Sequence, residues 1–107
     1  MKLFLFGSSL TKKNPNDIDV LWVYSRLECS PTDAVVFVRR LESPIVESLK
    51  LPVHSVILTD TEEREVAFAD DVGAVLLLDF EMNKIWVSDI LEALAKVVVC
   101  TDEKSMG

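Results

Sequence analysis

Two aspartates one residue apart, Asp17 and Asp19, are the side chains of this sequence best spaced for chemistry. In an extended segment, residues i and i+2 project to one face with their Cα atoms about 7 Å apart. Carboxylates held side by side repel unless a cation sits between them. Hard oxygen donors of this kind suit Mg²⁺. Upstream, Phe6-Gly7-Ser8-Ser9 supplies the complement. Gly7 lets a backbone approach closely. A Ser8 hydroxyl and exposed N–H groups at the start of a short helical turn would hold phosphate oxygens. Phosphate contacts beside a metal site suit phosphoryl or nucleotidyl transfer, where the protein mainly positions and neutralises.

The pattern of a hydrophobic residue, Gly-Ser, a variable stretch and Asp-x-Asp stands here as Phe6-Gly7-Ser8, eight intervening residues and Asp17-Ile18-Asp19. In this the chain resembles the nucleotidyltransferase superfamily typified by DNA polymerase beta, and in particular its smallest members, the minimal nucleotidyltransferases. Val53–Thr59, Glu62-Glu63 and Phe68…Gly73-Ala74-Val75 look like a bacterial subgroup of such small domains. The resemblance implies that Gly7 and Ser8, with Ser9 beside them, hold the triphosphate of a nucleoside triphosphate. It implies that Asp17 and Asp19 bind two Mg²⁺ ions. In active members a third acid on a later strand completes the metal cluster and activates the attacking hydroxyl. The matching strand here, Val53–Leu58, contains no acid, and His54 sits near the expected position. Asp60 lies about 20 Å farther along at the usual rise per residue, too far to substitute. Either His54 takes the acid's place or the site is degenerate. Two functions therefore stand side by side. One is Mg²⁺-dependent transfer of a nucleoside monophosphate, AMP by preference, to a hydroxyl on a partner protein or a small acceptor. The other is a catalytically degenerate binding module, acting as an antitoxin or regulatory subunit.

The elements that must position these residues follow from local pattern. Lys2–Phe6 reads as a strand and the polar stretch Thr11–Asn16 as a loop, in which Lys12 and Lys13 are solvated or touch phosphate. Asp17–Tyr24, rich in β-branched and aromatic residues, is a second strand. Ser30-Pro31 opens a helix with Ala34, Val35, Val38 and Leu41 on its apolar side. Pro44 should end or kink it, leaving Ile45–Leu49 as a second short piece. Pro52–Thr59 is a third strand. Thr59–Glu63 opens a helix lined by Val66, Ala69 and Val72 and closed by Gly73. Ala74–Asp79 is a fourth strand. Ser88 caps a final helix, Ser88–Val97, carrying Ile90, Leu91, Leu94 and Val98. Trp22, Tyr24 and Trp86 read as core or interface. This order predicts an α/β (α+β) domain, a small mixed sheet backed by helices, over residues 1–100, with a polar tail at 101–107.

Length and charge bound the function. The chain has 107 residues, one domain at most. Eleven Lys+Arg against 18 Asp+Glu give a net charge of −7, which disfavours free nucleic acid as a partner. So short a chain has room for the nucleotide half of a transfer site, and a protein partner or a second copy should complete the cleft. No apolar run approaches the roughly 20 residues of a membrane span. Cys29 and Cys100 have neither disulfide-framework nor zinc spacing, so both read as reduced thiols of a cytoplasmic protein.

Overall fold

The computed structural model describes the backbone of residues 1–11 and 15–106, with the side chains of all of these except Ser9, Thr11 and 98–106. Lys12, Lys13 and the side chains of Ser9, Val98 and Cys100 thus lie outside the described residues. Four strands form one sheet in the order β3-β2-β1-β4. Strand β1 (Lys2–Phe6) runs antiparallel to β2 (Ile18–Tyr24) and to β4 (Val75–Asp79), while β3 (Val53–Thr59) runs parallel to β2. The fold is α+β, a small mixed sheet backed by helices.

A parallel neighbour cannot be reached through a tight turn, and the helix α2 (Pro31–Leu49) provides the crossover between β2 and β3. Ser30 caps it, its side chain accepting the Asp33 N–H at 3.1 Å, and Pro31 occupies the first turn as expected. Pro44 does not end the helix. Its ring removes one N–H and crowds the preceding turn. Leu41 and Ile45 on either side of it are buried in the core, and their packing holds both halves in one element. The buried stripe is Ala34, Val38, Leu41 and Ile45, and Val35 turns partly to solvent instead.

Helix α5 (Val87–Met106) covers the same sheet face, burying Ile90 and Leu94. It starts one residue earlier than Ser88, which lies inside the first turn. The side chain that closes this end is Asp89, accepting the Trp86 N–H at 3.1 Å. Trp86 itself is 75% exposed, whereas Trp22 and Tyr24 are core. The helix also runs on beyond Val97, through the segment read as a tail. Leu3 and Leu5 of β1 meet Trp22 and Val20 of β2 beneath these two helices. The Trp22 indole N–H donates to Ser55 Oγ at 3.1 Å, and Ser55 donates to Glu42 at 3.2 Å. This chain of bonds ties β2, β3 and α2 together and satisfies the one polar atom of the largest core side chain.

The other face carries a divided helix. Thr59 caps α3 (Asp60–Val66) with a reciprocal box: its hydroxyl accepts the Glu62 N–H at 3.0 Å, and Glu62 accepts the Thr59 N–H at 2.9 Å. A single helix to Gly73 was the expectation. The chain instead turns left-handed at Ala67 (φ 49°), and α4 (Phe68–Val72) follows, closed by Gly73 at φ 65°. The break rotates Val66 and Val72 outward, so neither forms the expected inner line. Thr59→Ala should cost about 1 kcal/mol, read by urea unfolding. Hydrogen bonding from the Thr59 backbone N–H, and then from the Thr59 hydroxyl, holds the Glu62 carboxyl below its ordinary value, so the stability it adds is present above that value and is lost on acidification. The variant's acid branch should accordingly be shallower than the wild type's.

Candidate functional site

Strand alternation places Leu5 in the core and Phe6 on the opposite face, where Phe6 lies directly across from Asp19. Asp19 in turn lies level with His54 on β3. Asp17 sits immediately before β2, two residues from Asp19, and so shares its side of the strand. The start of β2 is fixed by an Ile18 N–H bond to the Pro52 carbonyl at 2.9 Å, which also sets β3 in register. Gly7 turns the chain off β1 at φ 77°, a conformation few L side chains adopt. The turn α1 (Ser8–Thr11) follows, closed by Leu10 N–H donating to the Gly7 carbonyl at 3.1 Å.

These elements bring together the residues expected from the sequence. Ser8 Oγ donates to Asp17 Oδ1 at 3.3 Å. His54 Nε2 lies 3.4 Å from Asp17 Oδ2, with the imidazole 62% exposed. Gly7 packs so closely on Asp19 that a Cβ built there would meet the carboxylate. Ser9 enters the α1 backbone, and its hydroxyl lies outside the described residues.

The electrostatics follow from this crowding. Burial raises the Asp19 carboxyl above its ordinary value, the negative charge of Asp17 raises it further, and His54 pulls it partly back. Two carboxylates whose charges feel one another, with a serine hydroxyl at their side, are a donor set that fits Mg²⁺. Among the described residues no group of three His, Cys, Asp or Glu side chains is arranged to hold a metal ion. A divalent ion here would take protein oxygens from Asp17 and Asp19 and fill its remaining positions with phosphate and water oxygens, as Mg²⁺ commonly does.

Comparisons of the chain with protein-family models, curated proteins and solved structures found no match. Among the described residues no helix is long and apolar enough to cross a membrane. Cys29 is a free, half-buried thiol.

One neighbour of the site has no signal in the local sequence. Phe68, at the start of α4, meets Phe6 edge-to-face with ring centroids 5.2 Å apart. The contact joins residues 62 positions apart across the face that carries Asp19, and only the break at Ala67 aims the ring there. An open cleft of about 500 Å³ between Tyr24, Glu28, Asp60 and Asp79 lies at the opposite end of the strands, away from this chemistry.

Proposed function

We propose that this chain is a nucleotidyltransferase-like protein that binds a nucleoside triphosphate with Mg²⁺ at Gly7, Ser8, Asp17 and Asp19. It transfers the nucleoside monophosphate, AMP by preference, to a hydroxyl on a partner protein or small acceptor. The observation that carries this reading is the convergence of the Gly7-Ser8 turn on the aspartate pair, with Ser8 Oγ 3.3 Å from Asp17. Mg²⁺ bound by the two carboxylates would neutralise phosphate charge. Gly7 and the α1 turn present backbone to the phosphates without a side chain in the way. The acceptor oxygen bonds the α-phosphorus, the bond to the bridging oxygen breaks, and pyrophosphate leaves. The acceptor's proton passes to His54, the imidazole at 3.4 Å from Asp17. With a nucleoside triphosphate as donor, the reading belongs to a cytoplasmic protein. The net charge of −7 favours a protein or small molecule over free nucleic acid as acceptor.

A second reading is favoured by His54 itself. It stands level with Asp19 on the neighbouring strand, where a third carboxylate would complete the cluster, and it pairs with Asp17 instead. A module of this kind would keep nucleotide or partner binding without transfer, as an antitoxin or regulatory subunit. Incubation with α-labelled ATP, Mg²⁺ or Mn²⁺ and a candidate partner separates the two. Label transfer that disappears in Asp17→Asn/Asp19→Asn is the expected result. Partner binding without transfer, unchanged in the double variant, selects the second reading. Calorimetry showing no Mg²⁺-dependent ATP binding at all would remove the transfer reading and leave the second only as a partner-binding module.

A further inference from the structure

On the nucleotide reading of the Gly7-Ser8 turn and the aspartate pair, we infer that Phe6 and Phe68 form the platform on which the nucleobase packs. The base it takes is a purine. Asp19 stands on β2 between two neighbours on its own face, His54 on β3 and Phe6 on β1. Directly opposed residues of an antiparallel pair carry their Cβ atoms about 5 Å apart, so the Phe6 ring begins beside the carboxylate. The two flanks differ in chemistry. The His54 side is polar, its imidazole 3.4 Å from Asp17. The Phe6 side is aromatic, and Phe6 is joined directly to Gly7. A triphosphate held at Gly7 and Ser8, with Mg²⁺ on the two carboxylates, therefore has an aromatic surface on one side. The base is the flat, apolar part of a nucleotide, and it matches that side rather than the ion-paired one.

Phe68 completes the surface. Its ring meets Phe6 edge to face, at an interplanar angle of 86°. In such a pair the ring that turns its edge to its partner keeps both faces clear of it, and the ring that offers one face keeps the other. Both side chains are only half-buried, so part of this aromatic surface stays open. The backbone around Phe68 is arranged to put it there. Ala67 turns left-handed at φ 49°, a conformation that costs an L residue energy and that clusters at ligand-binding sites. The Glu63 carboxylate accepts the Ala69 N–H through both oxygens, at 3.3 and 3.4 Å, and pins the start of α4 beside the ring. Every base has a π-face that can stack on such a platform, and a bicyclic purine covers more of it than a pyrimidine does.

Calorimetry of the whole chain with two probes, ATP and ribose 5-triphosphate, each with Mg²⁺, separates the base from the rest of the nucleotide. The wild type should bind ATP about tenfold or more tighter than ribose 5-triphosphate, the size expected of a base stacked on an aromatic ring. It should also bind ATP more tightly than UTP. Phe68→Leu keeps an apolar side chain and removes the ring. It should abolish most of the advantage of ATP and leave the affinity for ribose 5-triphosphate unchanged, which also shows that the variant is folded. In the wild type, the ring resonances of Phe6 and Phe68 should move further with ATP than with ribose 5-triphosphate, a readout that requires no variant. Equal binding of the two probes by the wild type overturns the platform and leaves the phosphate and metal site standing. Equal loss of both probes in Phe68→Leu also overturns it, because the ring then only supports the turn. UTP bound as tightly as ATP overturns the purine assignment. Absence of binding by both probes overturns the nucleotide reading itself, and the platform with it.

Discussion

Asp19→Asn should give a protein more thermostable than the wild type at neutral pH and roughly a hundredfold weaker in binding ATP with Mg²⁺. The two effects share one cause. Burial and the neighbouring Asp17 charge raise the Asp19 carboxyl above its ordinary value, with His54 opposing them. The folded state therefore holds this proton more tightly than the unfolded chain does. Its contribution is fully present below the unfolded value of 3.8 and is lost as pH rises through the raised folded value. At neutral pH the carboxylate is ionised against that preference, and asparagine relieves it at little change in volume. The same substitution removes one of the two anionic oxygens that Mg²⁺ would take from the protein. Scanning calorimetry at pH 7 should show a higher Tm for the variant alone. Mg²⁺ and ATP should raise the Tm of the wild type only, because a ligand stabilises just the state that binds it. A lower Tm with unaltered nucleotide affinity would contradict both the charge crowding and the binding role.

Gly7→Ala should destabilise the fold by about 2–5 kcal/mol and disturb the aspartate pair with it. Two costs add. At φ 77° an L side chain enters the left-handed region, which costs about 1–2 kcal/mol. The new methyl would also meet the Asp19 carboxylate, with Asp19 Cγ at 3.1 Å and Cβ at 3.3 Å behind it. Overpacking of this sort typically costs about 1–3 kcal/mol. Gly73→Ala is the natural comparison. Its φ of 65° is similar, yet nothing lies within 4 Å of its added Cβ, so it should lose only the conformational part. Urea unfolding of the two variants measures the difference, which reports the contact between Gly7 and Asp19. Equal losses would mean that the turn is indifferent to the carboxylate beside it.

Most of the elements are legible because their signals are local. Ser30-Pro31 announces α2, Gly73 ends α4, and the β-branched run after Asp17 is a strand wherever it is placed. The misread features each depend on a competition that a local pattern does not contain. Pro44 is a breaker by its own chemistry, and it is overruled by the burial of Leu41 and Ile45. Ala67 has no glycine-like licence to turn left-handed, so one helix was the natural reading of Asp60–Val72. Glu42, Ser55 and Trp22 are spread over three elements, and nothing in their spacing foretells the bonds that join them.

The candidate site divides along the same line. By itself the sequence determined that two carboxylates share one side of a strand, since alternation is a property of any extended backbone. It also determined that a glycine and a serine follow the strand before it. Only the tertiary structure decided that these two halves meet. Antiparallel pairing of β1 with β2 sets Phe6 across from Asp19 and swings the Gly7 turn onto the carboxylates. The parallel register of β2 with β3 decided that His54, and no acid, stands beside them. Register is settled by hydrophobic faces packing across the whole sheet, because a slip of one residue would turn every buried side chain outward.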